Sequence, residues 1–148
     1  MELISKILIA VDGSASSEKI VEYGYNMARQ IHARVGILMV EDSDINLADT
    51  LVEYVNSLNK DQQPVESDFL YKMKSMFAKG TPTELFLVKG PVRDVIFDTA
   101  TAWGAQIIVA GIHHQTGISR FFVSSTADDL LHSTNIPIIL VPLSKTEQ

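Results

Sequence analysis

The chain has no cysteine among its 148 residues. Disulfides, thiol nucleophiles and Cys-ligated zinc or iron–sulfur centres are therefore excluded. Positive charge is scarce as well: 12 Lys and Arg stand against 18 Asp and Glu, a formal net charge of −6. Nucleic-acid binding needs clustered cations to neutralise phosphates, and with no such cluster no nucleic-acid partner is expected. No apolar run approaches the ~18 to 20 residues of a membrane span, so no membrane association is expected. The opening MELISKILIA carries Glu2, a very short apolar run and no cleavage pattern, which suits a first strand and not a signal peptide.

The glycine signatures of several nucleotide and hydrolase sites are missing too. After the first apolar run, AVDGSASS lacks Gly-x-Gly-x-x-Gly, no Gly-Lys-Ser or Gly-Lys-Thr occurs, and no Gly-x-Ser-x-Gly elbow follows a strand. These absences weigh against a Rossmann dinucleotide site, a P-loop and a serine hydrolase. A phospho-acceptor receiver needs an acidic pair after the first strand and an Asp after the third, where Val88–Lys89–Gly90 stands instead. What remains is 46% hydrophobic and 20% charged, the composition of one compact domain over residues 1–148, expected to be soluble and cytoplasmic.

Five β-branched runs are present: Lys6–Val11, Arg34–Val40, Glu84–Lys89, Gln106–Ala110 and Ile136–Val141. Near-continuous hydrophobicity is the mark of strands covered on both faces of a parallel sheet. Helical patterns lie between them. The first, from about Ser16 to His32, aligns Ile20, Gly24, Met27, Ala28 and Ile31 on one face, with Ser14 and Ser16 as candidate N-caps. A second, from about Ser67 to Lys79, carries Phe69, Met73, Met76 and Phe77, a stripe read as core packing and not as a ligand groove. A third opens at Pro91, taken as its first helical residue, and turns Val95, Ile96 and Ala100 inward before Gly104. A last runs from about Ser124 to Ser133, and residues 41–63 read as loop, helical segment and loop. Strands alternating with helices give an α/β fold, a three-layer α/β/α sandwich on a five-stranded, mostly parallel sheet.

Ligands in such sheets sit beyond the carboxyl ends of the strands, where strand order reverses. Gly111–Ser125, GIHHQTGISRFFVSS, falls there between a strand and a helix, an arrangement whose free backbone N–H groups suit an anion. Asp12 ends the first strand and has two readings: an acceptor for ribose or adenine, or a cap for its own turn. His113 and His114 are adjacent and lack a second ligand pair, so a metal is not expected; His114 is read as bonding within the loop or touching an anion. Ser124 and Ser125 can cap the last helix or reach a phosphate, with capping preferred, and Arg120 is read as facing solvent. No catalytic constellation emerges.

Over essentially its full length the chain resembles the universal stress proteins. The residues that carry the resemblance are KILIAVDGS, ILMVEDSD, the GPV at 90–92, and IIVAGIHH through IPIILVPL. Many members bind ATP through a glycine, a second glycine after two residues, then after nine a glycine followed by Ser or Thr. Gly111 matches the first position and Ser125 the last, while His114 and Ser124 replace the other two glycines with the spacing intact. The resemblance, closest to the UspA-type branch, implies a Rossmann-like (adenine nucleotide alpha hydrolase-like) fold with strand order 3-2-1-4-5. It implies a non-catalytic stress-response or signalling role with weak or absent ATP binding. If a nucleotide site is retained, for ATP or AMP, its residues are Val11, Asp12, Val40, Gly111, His114, Ser124 and Ser125, with no other cofactor. It further implies a homodimer in which the last strand pairs antiparallel with its copy, with Ile136, Ile138, Ile139, Leu140 and Val141 at the interface; Pro137 and Pro142 limit the strand pairing itself to the residues between them. A further protein partner stays unidentified.

Overall fold

The computed structural model describes residues 3–42, 65–113 and 135–143. The helical segment expected within 41–63 and the last helix, 124–133, lie outside the described residues. Five strands, β1 (Lys6–Val11), β2 (Arg34–Asp42), β3 (Thr83–Gly90), β4 (Ile107–His113) and β5 (Ile138–Leu143), alternate with α1 (Ser17–Ile31), α2 (Val65–Phe77) and α3 (Val92–Trp103). The sheet has the order β3-β2-β1-β4-β5, and each neighbouring pair is parallel.

Successive side chains of β1 enter opposite layers. Ile7, Ile9 and Val11 join Val21, Tyr25, Ile37 and Met73 on the side of α1 and α2, while Leu8 and Ala10 join Leu38, Ile96 and Ile108 on the side of α3. A strand buried on both faces has no position for a polar residue, which is why β1 reads as an unbroken apolar run.

The helix stripes differ in detail from the spacing. On α1 the buried positions are Ser17, Ile20, Val21, Gly24, Tyr25 and Ala28, and Ile31 is 39% exposed. The helix stops there: His32 takes the left-handed C-cap conformation, and the chain turns back to the sheet at Ala33. On α2, Leu70 and Met73 are buried and Met76 is 43% exposed, so the inward stripe passes through Leu70, Met73 and the partly buried Phe77 and leaves Met76 outside it. Pro91 is the N-cap of α3 and not its first helical residue: its φ of −61° suits either role, but ψ of 130° leaves it extended.

Both strands on the β5 side shift toward the carboxyl end. β5 starts at Ile138 because Pro137 offers only its carbonyl, which accepts from Ile108 N at 2.9 Å. It then runs to Leu143, and this gives β4 a partner as far as His113, through Gly111↔Val141, Ile112↔Pro142 and His113↔Leu143. Gly111 therefore lies in a strand and not in a loop.

Side-chain hydrogen bonds tie the amino ends of the strands together. Gln106 Oε1 accepts from Ser5 N at 2.5 Å, Ser5 Oγ at 3.0 Å and Lys6 N at 3.1 Å, and its Nε2 donates to Leu3 O at 2.8 Å. Lys6 Nζ donates to Trp103 O at 2.8 Å and stands 5.2 Å from the Trp103 ring centroid, so one ammonium caps the end of α3 and rests on an aromatic face. Thr83 donates its hydroxyl to Thr81 O at 3.0 Å. Tyr25, fully buried on α1, therefore donates to Thr83 Oγ1 at 2.7 Å. Burial pushes the Tyr25 phenol above its ordinary pKa, against a smaller opposing effect of the Arg29 charge.

Candidate functional site

Strand order reverses at β1: the chain leaves it for β2 on one side and later returns to β4 on the other. The carboxyl ends of β2, β1 and β4 therefore bound a crevice, and Val40, Val11–Asp12 and Gly111 stand at those ends. The remaining candidates, His114, Ser124 and Ser125, with Arg120 and the side chain of His113, lie outside the described residues.

Asp12 follows the last residue of β1. Its Oδ1 accepts from Ser14 N at 2.9 Å and from Ser17 Oγ at 3.2 Å. One oxygen thus closes the turn and reaches the first residue of α1, where a carboxylate also meets the positive end of the helix dipole. Both bonds fall on the same oxygen. Gly13, at φ of 82°, allows the turn, and a Cβ there collides with the Met39 side chain of β2.

Neither serine expected to cap α1 does so with its hydroxyl. Ser16 occupies the N-cap position with a helical backbone (φ −68°, ψ −16°) and makes no side-chain capping bond; the usual reach to N2 or N3 starts from an extended residue. Ser14 Oγ is buried and has no hydrogen-bond partner among the described residues. An unpaired buried hydroxyl costs on the order of 1–3 kcal/mol, so the sequence gains nothing for the fold by keeping one here. This is the polar atom that sequence reasoning missed, since it took Ser14 for a cap.

Val11 and Val40 are 1% and 5% exposed, and they sit in the two cores on opposite faces of the sheet. Their side chains are committed to packing, so what they present at the strand ends is backbone. Gly111 has a packing reason of its own: a Cβ there falls 2.5 Å from Ile20 Cδ1 and 3.0 Å from Leu143 Cδ1, so glycine is what lets α1 lie close on β4. Among the described residues no group of three His, Asp or Glu is placed to hold a metal, and no helix is long and apolar enough to cross a membrane.

At the sheet edge, β5 pairs with β4 alone. With Pro137 O engaged by Ile108 N, alternation points the N–H groups of Ile138 and Leu140 outward and puts Pro142, which has none, on the same open side. Ile136, Ile138, Ile139 and Leu140 are half-buried, and Val141 is already buried within the chain.

The model of the universal stress protein family matches residues 4–142. The chain belongs to that family. Universal stress protein A of Escherichia coli (strain K12) is 28% identical over 145 residues, 96% of each chain. Among solved structures, a universal stress protein in complex with cAMP has a TM-score of 0.69 at 18% identity, covering 97% of this chain and all of that one. The universal stress protein from Archaeoglobus fulgidus in complex with dAMP has a TM-score of 0.59 at 22% identity, covering 95% and 99%. These structural likenesses carry the fold, a Rossmann-like α/β sheet shared across the universal stress proteins.

Proposed function

We propose that the chain is a non-catalytic stress-response or signalling module, homodimeric through β5, whose crevice holds the adenosine part of an adenine nucleotide and grips the outer phosphates of ATP weakly or not at all. The observation that carries this reading is the pair Asp12 and Ser14. One carboxylate oxygen is fixed by the turn while the buried Ser14 hydroxyl beside it remains to be met, a fit to a hydroxyl of a ribose. The phosphate half is a different matter, because His114 and Ser124 put side chains where the family's motif has glycine. Structural relatives holding cAMP and dAMP support the same division, since each ligand has adenine and a single phosphate.

Calorimetric titration with AMP and ATP, with and without magnesium, tests it. AMP is expected to bind at least as tightly as ATP, and micromolar affinity for ATP overturns the reading. A second reading, an ATP-binding and slowly hydrolysing switch, is favoured by the intact spacing of Gly111, His114, Ser124 and Ser125. The double change His114→Gly with Ser124→Gly is expected to tighten ATP binding by about tenfold, roughly 1.4 kcal/mol. If the unaltered protein already releases phosphate from ATP, the switch is the correct account.

The outward N–H groups of Ile138 and Leu140 support antiparallel pairing of two β5 strands across a two-fold axis. Leu140→Pro removes one of these donors and spares the ladder to β4, so a monomer is expected by sedimentation. A dimer of unchanged stability points to another interface.

A further inference from the structure

At the other end of the molecule, where α1 and α2 finish and β2 and β3 begin, an open cleft of about 310 Å³ is lined by Arg29, His32, Lys79, Gly80 and Thr81 among others. No carboxylate lines it, although the protein as a whole is acidic. Cations at helix C-termini are common, because they complement the dipole. Three further features set this cleft apart.

Arg29 is oriented in advance. Its Nη1 donates to Phe77 O at 2.9 Å and its Nη2 to Asn26 Oδ1 at 2.5 Å. These bonds fix the guanidinium plane between the two helices, and two of its five N–H groups account for them. Among the described residues no ion pair is seen at Arg29 or Lys79.

Backbone strain converges on the same place. His32 (φ 57°) and Lys79 (φ 45°) are the non-glycine residues at positive φ among those described, and both line the cleft. Lys79 and Gly80 (φ 89°) are the central pair of a tight turn closed by Thr81 N donating to Ala78 O at 2.8 Å. Such turns favour Asn or Gly at the first central position. The end of α3 uses Gly104 for its left-handed cap. A strained cation where glycine or asparagine fits better is the kind of outlier that points to a binding role.

The helix carbonyls near the cleft are also engaged, which limits their repulsion of an anion. Ala28 O accepts from His32 N and Ala33 N, Lys74 O from Ala78 N, and Phe77 O from Arg29.

We propose that this cleft binds a small phosphate-class oxyanion, with Arg29 as a planar fork, Lys79 as a flanking cation and the His32 ring as a flanking N–H donor. The site stands apart from the crevice at the carboxyl ends of the strands and does not depend on the function proposed for it. Its occupant is a free phosphate or a small phosphate ester, and both present the same oxygens.

Amide NMR of the full chain, titrated with inorganic phosphate at constant ionic strength against chloride, tests this proposal. Saturable shifts are expected at Ala33, Gly80 and Thr81, and not at Gly13 or Ser14. A parallel titration with glycerol phosphate distinguishes the ester, which adds shifts along the cleft if it is the better occupant. Lys79→Asn and His32→Asn keep the left-handed backbone and remove the ammonium and the imidazole ring. The double variant is expected to weaken phosphate binding by about tenfold, the loss of one charge-assisted contact, while its Tm rises by about 2–4 °C from relieved strain. Shifts that chloride reproduces, an absence of saturation, or undiminished binding in the double variant overturns the proposal. So does saturation confined to the crevice amides.

Discussion

The two ends of the sheet are held together in different ways. At the amino ends of the strands, side chains join residues far apart in the sequence: Gln106 to Leu3, Ser5 and Lys6, Lys6 to Trp103, Tyr25 to Thr83, and Arg29 to Phe77. At the carboxyl ends, Asp12 bonds residues two and five positions away. Long-range bonds close a fold, whereas local bonds settle a turn and leave its remaining polar atoms for something else. The difference therefore divides the molecule into an end built for cohesion and an end with polar groups to spare, and it is the second that holds the candidate nucleotide site.

The largest expected effect breaks that division at its shared floor. Gly111→Val forces two methyls into Ile20 and Leu143 and should destabilise by about 2–3 kcal/mol in urea unfolding; a neutral result means that α1 lies less closely on β4 than described. Next is Asp12→Ala, expected at about 1–2 kcal/mol from loss of the turn and helix-start bonds. Asp12→Asn, which keeps an acceptor oxygen, should recover most of that stability but not nucleotide affinity.

At the opposite end Tyr25→Phe should cost about 1 kcal/mol, and its effect depends on pH. The folded phenol titrates above the unfolded value of 10.0, so the folded state holds its proton longer. The stability this represents is complete below pH 10 and is lost as pH rises through the raised value. The Phe variant should lose less stability than the parent above pH 10, and parallel curves refute the role given to Tyr25. The smallest effect is Ser14→Ala. Removal of a buried, unpaired hydroxyl should stabilise the free protein by a few tenths to about 1 kcal/mol while weakening AMP binding. If stability falls instead, Ser14 has a structural partner.

Much of the fold was legible because strands buried on both faces leave a continuous apolar record, as in KILIAV and QIIVA. The ends of β4 and β5 were not, because a strand's length depends on its neighbour: Pro137 delays β5, and β5 running to Leu143 prolongs β4. On α1 and α2 the helical period was legible but its phase was not, so Ile31 and Met76 were placed inside, and Tyr25 and Leu70 were missed. In the candidate site the position of Asp12 followed from strand order. The orphaned Ser14 hydroxyl did not, since which serine takes the N-cap position, and with what backbone angles of its own, is set by the turn that Asp12 and Gly13 make. The packing duty of Gly111 was hidden for a similar reason: Ile20 and Leu143 are remote in sequence.

The register of β1 bears on how the chain is made. Ile7 lies against Val35 on one side and Ile107 on the other, so the strand at the centre of the finished sheet receives its second neighbour only after another hundred or so residues have been synthesised. At about 5–20 residues per second, that interval is on the order of 5–20 s. Once β2 has been made, Ile7, Leu8 and Ile9 would form the open border of any two- or three-stranded sheet assembled before β4. A ribosome-stalled chain ending before Ile107 should recruit holdase chaperones more strongly than one ending after Leu143, and equal recruitment argues against such an intermediate. In the newborn molecule the most sheltered strand is the most exposed.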